Sequence, residues 1–303
     1  MIHSGNVVID LVATVPALPA RGSDVLATSM EPTPGGGFNV MAAAARQGLP
    51  VLYAGRRGDG PFAALADAAL HAEGIVAVQP ARPGDTGMVI TVVDGGGERT
   101  FVTSPASIIG ATAAELAAVA PGPGDAVTLS GYELLHGPSR DALLAWVAGL
   151  PDAVTVVFDP GPLAPWSTPD PVRVLLGRAD WTTANAAEAA QITGLTEPAA
   201  AALALGGRAG AIVRTGATGC VVAVRGAEPV PVPGFAVAVA DTTGAGDAHT
   251  GVFLAALSRD ADPLAAARTA NAAAALTVTR PGPATSPSAA VLTRFLTTTA
   301  TAP

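Results

Sequence analysis

The chain reads as an α/β protein whose mostly parallel sheet carries helices on both faces, and three observations predict this. Between about residues 105 and 280, short apolar runs alternate with alanine-rich helical stretches, the rhythm of strand–helix–strand units. The stretches 11–33 and 86–103 break that rhythm, being strand-like and turn-rich, and read as a small β-sheet layer projecting from the main domain. The 303 residues supply a substantial core, since 50% are hydrophobic and only 13% are charged, against roughly 25% charged in ordinary domains.

Residues 2–9 form an apolar run ending at Asp10, read as a buried strand. Residues 39–47 are helical in composition, 51–54 strand-like, and 61–73 carry apolar residues at helical spacing. Thr86–Val93 and Arg99–Thr103 flank Asp94-Gly95-Gly96-Gly97, a strand pair around a glycine turn. Helix is expected over 111–119, strand over 126–129, helix over 139–150, and strand over 154–158 ending at Asp159. A helix over 171–176, a strand at Trp181-Thr182-Thr183 and a helix over 186–192 follow. Residues 211–213 and 220–224 form a strand pair around Gly-Ala-Thr-Gly, and 245–258 and 263–278 are helices. The main domain is thus expected over 1–10, 34–85 and 104–296, the small sheet over 11–33 and 86–103, and a frayed tail over 297–303.

Composition excludes several chemistries. All 16 basic residues are arginine, so there is no Walker lysine and no Schiff-base lysine, and phosphate must be met by backbone N–H groups, arginine, metal ions or helix dipoles. The net charge of −8 disfavours nucleic acid as a partner. Cys220 is alone, which rules out an intramolecular disulfide, and it lies in a Cys-Val-Val-Ala-Val strand where packing explains it. The four histidines are scattered without an HxxxH pair, which argues against zinc. The N-terminus lacks the charged and apolar regions of a signal peptide, and no apolar stretch reaches about 18 residues, so a cytoplasmic protein without a membrane span is expected.

Four motifs carry chemistry. Pro34-Gly35-Gly36-Gly37-Phe38-Asn39 opens a helix; its glycines let backbone approach a ligand, and Asn39 either serves hydroxyls or caps the helix. Asn185-Ala186-Ala187-Glu188 forms a capping box or holds phosphate and metal-bound water. Arg214-Thr215-Gly216-Ala217-Thr218-Gly219 lies between two strands and by itself is a hairpin turn. Asp241-Thr242-Thr243-Gly244-Ala245-Gly246-Asp247 carries two carboxylates around a glycine turn at a helix start, more than a turn requires. There the N–H groups form an anion nest, and Asp247 at its mouth suits removal of a proton from a hydroxyl that attacks phosphate. None of the glycine runs has dinucleotide GxGxxG spacing, so an oxidoreductase is weakly supported.

In this order the motifs closely resemble the ribokinase-like (PfkB) family of carbohydrate and nucleoside kinases, over almost the whole chain; DTTGAGD is the most specific signature. Thr86-Gly87 through Phe101, Phe158–Pro162 and Asn271–Gly282 add to the likeness. The resemblance implies an α/β/α sandwich with a β-sheet lid, transferring the ATP γ-phosphoryl group to an alcohol with Mg²⁺. It implies Asp247 as base, Gly244, Ala245 and Gly246 as anion hole, and Asp10, Gly36, Gly37 and Asn39 on sugar hydroxyls. Asn185 and Glu188 match its phosphate and Mg²⁺–water motif, while Arg214, Gly216, Gly219 and Asn271 match nucleotide positions. Asp241, Thr243, Thr277, Arg280, Gly282 and Ser286 fall where many members hold a monovalent cation such as K⁺. Many members also form homodimers lid to lid, and Val89, Val92 and Phe101 would need such cover. Two departures concern the sugar: the glycine motif is one residue shorter and lacks lysine, and Val8 replaces a sugar-binding Asn, which puts ribose itself in doubt. His249 stands where Phe is usual. A sugar kinase is therefore expected, with a nucleoside kinase as the alternative and a non-catalytic sugar or nucleotide sensor behind both.

Overall fold

The structure, a computed structural model, describes residues 1–104, 106, 109–162 and 169–300. The first part of the chain forms β1 (Ile2–His3), β2 (Val7–Thr14), β3 (Ser29–Gly36), α1 (Gly37–Arg46), β4 (Leu52–Tyr53), α2 (Pro61–Ala72), β5 (Val76–Ala77), β6 (Gly87–Val93), β7 (Arg99–Thr103) and α3 (Ala113–Ala117). Then come β8 (Ala126–Ser130), α4 (Gly137–Ala148), β9 (Thr155–Asp159), α5 (Pro169–Arg178), β10 (Trp181–Asn185), α6 (Ala186–Thr193) and α7 (Pro198–Leu205). The last part holds β11 (Gly210–Arg214), β12 (Gly219–Val224), β13 (Val230–Pro233), α8 (Ala245–Leu257), α9 (Pro263–Thr277) and α10 (Ala289–Ala300).

The larger sheet has the order β13-β12-β11-β10-β9-β8-β1-β4-β5. Its pairs are parallel except β11–β12 and β12–β13, which are antiparallel. Alternate residues of one strand feed opposite cores. Val157 packs in a cluster with Met41 of α1 and Phe253 of α8, whereas Val156 and Phe158 pack with Leu143 and Val147 of α4 and Leu175 of α5. A strand buried on both faces must be apolar throughout, which is why β9 reads Thr-Val-Val-Phe before its final Asp. The result is the expected three-layer sandwich.

The smaller sheet, the lid, has the order β3-β2-β6-β7, with β2–β6 parallel and the outer pairs antiparallel. It takes in Val7–Asp10 and Pro34–Gly36, which the expected boundaries at 10/11 and 33/34 assign to the main domain. The run read as one strand over 2–9 is two strands, one in each sheet, separated at Ser4-Gly5-Asn6. An apolar run reports burial and not which sheet the strand joins, so its pattern could not reveal the switch.

Two further expectations change. The chain after Leu296 is not frayed through residue 300, because α10 continues to Ala300; residues 301–303 lie outside the described residues. Its threonines are poor helix formers, but Leu292 is buried against Ala248 and Val252 of α8 and Ala272 and Ala273 of α9, and packing overrides propensity. The elements α7 and β13 were not foreseen. Pro198-Ala-Ala-Ala-Ala lacks an amphipathic signature, and Val-Pro-Val-Pro contains prolines that an edge strand tolerates.

Candidate active site

Four parallel neighbours end in polar residues: Ser130 (β8), Asp159 (β9), Asn185 (β10) and Arg214 (β11), with Ser130 opposite Asp159 and Asn185 opposite Arg214. These strand ends floor a cleft of about 1180 Å³, walled by the entries to α1 and α8 and roofed by lid residues Asp10, Val89 and Phe101. A cleft at the carboxyl ends of parallel strands is the usual ligand position of an open α/β sheet.

The entries to α1 and α8 are built alike. Gly36 caps α1 at φ 59°, ψ −132° and Gly244 caps α8 at φ 73°, ψ 3°; positive φ at both favours glycine, and Gly244 alone is in the left-handed helical region. The two helices cross almost backbone to backbone: a Cβ on Gly251 would lie 2.4 Å from the carbonyl oxygen of Val40. That approach brings their third residues together, and Asn39 Nδ2 donates to Asp247 Oδ2 at 3.1 Å.

Asp247 is the centre of the site's electrostatics. Burial, then repulsion from Asp159 and Glu188, pushes its pKa up to about 7, against the opposing effects of Asn39 and Arg214. Arg214 lies inward, its Nη1 donating to Asp159 Oδ2 (2.9 Å), Thr183 Oγ1 (2.8 Å) and Thr250 Oγ1 (3.2 Å), with Nη2 3.5 Å from Glu188 Oε2. A Cβ on Gly246 would sit 3.3 Å from the guanidinium carbon, so the small residue leaves Arg214 its place beneath the nest.

The expected site residues group as follows. Asp10, Gly36, Gly37, Asn185, Glu188, Arg214, Gly216, Gly219, Gly244, Ala245, Gly246, Asp247 and Asn271 all line the cleft, and Asn39 reaches it through Asp247. Asp10 is largely desolvated and its pKa rises to about 6; a Cβ on Gly35 would collide with its carboxylate. Asn185 and Glu188 form the reciprocal capping box, Asn185 N to Glu188 Oε2 at 2.7 Å and Glu188 N to Asn185 Oδ1 at 2.8 Å, while Glu188 also faces Arg214. Asn271 spends its amide donors on the carbonyls of Val232 and Pro233. His249 is buried in the cleft wall; neither ring nitrogen makes a well-aligned hydrogen bond, and burial drives its pKa down to about 3, keeping it neutral.

The six expected cation residues lie behind the nest, outside the cleft lining. Asp241 Oδ1 accepts from Thr243 N and Thr243 Oγ1, both at 2.8 Å, and pairs with Arg99 of β7; Oδ2 accepts from Gly282 N at 2.9 Å. The Thr277 carbonyl accepts from Thr285 Oγ1 (3.1 Å) and Arg280 N (3.2 Å). Arg46 Nη1 donates to the carbonyls of Ala284 (2.5 Å) and Ser286 (2.8 Å). With a guanidinium already against the carboxylate, these residues do not fit a second cation. For Mg²⁺, the described residues contain no cluster of three or more ligating side chains. The carboxylates of Asp159 and Glu188 on the cleft lining are hard oxygen donors of the kind that would fit an Mg²⁺ held mainly by phosphates and water.

Three residues of this site were not singled out from sequence. Asp159 anchors Arg214, and its Oδ1 accepts from Gly161 N at 3.0 Å. Tyr132 faces the carboxylates of Glu188, Asp247, Asp159 and Asp10, which with burial raise its pKa. His3 Nδ1 bonds Thr128 Oγ1 at 2.8 Å and leaves Nε2 buried without a partner. The available signal was positional: a polar residue closing an apolar strand, as Asp159 closes Val-Val-Phe.

Comparison with known proteins agrees with this architecture. The sugar kinase YegV of Escherichia coli is 30% identical over 272 residues, 84% of this chain and 80% of its own. A ribokinase from Thermotoga maritima has the same fold at a TM-score of 0.81 and 24% identity, covering 98% of each chain. A fructokinase from Vibrio cholerae, solved with fructose, ADP and calcium, superposes at 0.77 with 26% identity over 97% of this chain and 98% of its own. The family described as pfkB family carbohydrate kinase matches residues 3–290. The chain therefore belongs to the pfkB carbohydrate kinase family and is a kinase of the sugar and nucleoside type.

Proposed function

We propose that this kinase transfers the γ-phosphoryl group of ATP to a hydroxyl of a small sugar or sugar derivative, with Asp247 as general base. The observation that carries the reading is the buried Asp247 carboxylate on the first turn of α8, oriented by Asn39 and with its pKa near 7. A base titrating near the working pH is deprotonated often enough to accept a proton and basic enough to take it. The hydroxyl proton passes to Asp247, the freed oxygen attacks phosphorus, and the bond to ADP breaks. The N–H groups at the start of α8, those of Gly244 at the cap, Ala245 and Gly246, have no partners within the helix, Ala245 N reaching only the Thr242 carbonyl at 3.3 Å, and in this reading they meet the charge that builds on the phosphoryl oxygens. Mg²⁺ carried by the nucleotide, on the side of Asn185 and Glu188, supplies charge neutralisation of the phosphates. Arg214, Gly216, Gly219 and Asn271 line the nucleotide end.

Asp10 accepts two substrate hydroxyls from the lid side, next to Gly36 and Gly37. The lid excludes water as a competing acceptor. A nucleoside acceptor is the second reading, favoured by the apolar wall of Val8, Val40, Val89 and Phe101, which has room for a base. Half-buried Val89 and Val92 and exposed Phe101 and Val102 on the lid support pairing of two chains through it. None of the described helices is long and apolar enough to cross a membrane; a kinase that draws on ATP would work in the cytoplasm, and that location is part of this reading. The test is ADP release from ATP over a panel of sugars, sugar phosphates and nucleosides. Turnover with a sugar supports the first reading and turnover with nucleosides alone the second; ligand binding without any turnover leaves a sensor and overturns both.

A further inference from the structure

We infer that Arg99 is a tethered cation: its guanidinium, delivered by lid strand β7, takes the position at Asp241 that a monovalent ion would otherwise fill, and so makes the order of the glycine nest depend on the lid and not on K⁺. The inference rests on the nest at 244–247 being the phosphoryl site. Asp241 is three residues before that nest, and its carboxylate fastens two segments to each other, Thr243 on one side and Gly282 on the other. A carboxylate so placed needs a positive charge to offset it in a half-buried site. Arg99 provides it, and the Asp241 pKa is lowered through the Thr243 and Gly282 hydrogen bonds and the Arg99 charge acting against burial. A potassium ion at the same oxygen would stand beside that guanidinium. Two positive charges in contact repel one another near a protein surface, where screening by water is reduced. A second arginine, Arg46, closes the neighbouring carbonyls of Ala284 and Ser286.

Arg99 belongs to the sheet that roofs the cleft, since β7 pairs with β6. Its guanidinium is therefore at Asp241 only when the lid is in place. Arg99 acts through Asp241 on the nest and is a positioning residue. Ser286 Oγ, four residues beyond the Gly282 that Asp241 holds, is buried without a partner. Removing the guanidinium would leave the Asp241 carboxylate without its counter-charge, so the site should become K⁺-dependent.

The experiment compares wild type with Arg99→Gln in tetramethylammonium and in potassium chloride at equal ionic strength. Melting temperature and ADP release are both read. Wild type should give the same melting temperature in the two salts. Arg99→Gln should melt higher in K⁺ than in tetramethylammonium. Its turnover should fall about tenfold without K⁺ and recover most of that with it, the scale of one charge-assisted hydrogen bond. K⁺-specific stabilisation of wild type overturns the inference, as does an Arg99→Gln protein indifferent to K⁺. If that variant does not fold, hydrogen exchange of residues 241–247 in wild type decides: equal protection in both salts supports the inference and K⁺-dependent protection overturns it. The melting and exchange measurements need no turnover, so they stand apart from a failure of the kinase reading itself.

Discussion

The entries to α1 and α8 share a plan but differ in backbone turn and in what surrounds them. Each helix follows a positive-φ glycine without a side-chain cap, Gly36 at ψ −132° and Gly244 at ψ 3°, and each carries its polar residue at the third helical position, Asn39 and Asp247. At the α1 entry the glycines are demanded by crowding: a Cβ on Gly37 would lie 2.1 Å from His3 Nε2, and one on Gly36 2.8 Å from the Asn6 carbonyl. At the α8 entry a Cβ on Gly244 would meet nothing closer than 3.5 Å. There the glycine serves backbone conformation, and a Cβ would make only ordinary contacts with Ala284 and Asn39. The same plan thus meets a severe clash in one place and ordinary neighbours in the other. The difference is set by elements distant in sequence, β1 beneath α1 and the cleft before α8.

The largest effect should come from the residue that distinguishes the two helices most. Asp247→Asn makes the α8 entry resemble that of α1 and removes the proton acceptor. Turnover should fall by about 10²–10⁴ with the fold intact, measured as kcat beside a circular dichroism melt; near-normal kcat would remove Asp247 from the role of base. Next, Asp10→Ala tests whether the lid side holds hydroxyls. It should lower kcat/KM for the acceptor by about 10² while the KM for ATP stays within a factor of about two. A loss of stability with unchanged acceptor kinetics would make Asp10 structural.

Asparagine tolerates the left-handed conformation better than alanine does, so paired substitutions separate crowding from conformation. Gly244→Asn should cost less stability than Gly244→Ala. At Gly37 both residues should cost about 1–3 kcal/mol, because His3 is buried and cannot withdraw. Equal costs for Asn and Ala at Gly244 would contradict the distinction. The smallest effect concerns pH. Activity should rise with pH through about 7 as Asp247 loses its proton. Asn39→Ala removes a hydrogen bond that favours the carboxylate, so the rising limb should move to higher pH. For stability the sign is opposite: a carboxyl whose folded pKa exceeds its unfolded value of 3.8 contributes stability below that value, lost as pH rises through about 7. A pH–rate limb that stays fixed in Asn39→Ala would uncouple the two helices.

Local order was readable wherever one pattern had one outcome. Alternating apolar runs and alanine-rich stretches placed most of the strands and helices. The DTTGAGD turn was legible because two carboxylates around glycines exceed what a turn needs. The role of Asp159 as the anchor of Arg214 was not legible, because an aspartate after an apolar run also reads as an ordinary strand stop. The Asn185–Glu188 capping box shows a case where both readings hold at once, since the pair caps α6 and lines the cleft.

By itself, then, the amino-acid sequence determined the strand–helix rhythm, the glycine turns and the absence of any lysine, because these depend on neighbours along the chain. Tertiary structure alone decided that the first apolar run divides between two sheets, that Asn39 bonds Asp247 across 208 residues, and that Arg99 reaches Asp241 across 142. The physical reason is common to all three. Burial and charge pairing are set by which surfaces meet in space, and a residue's chemistry states what it needs without naming the partner that supplies it.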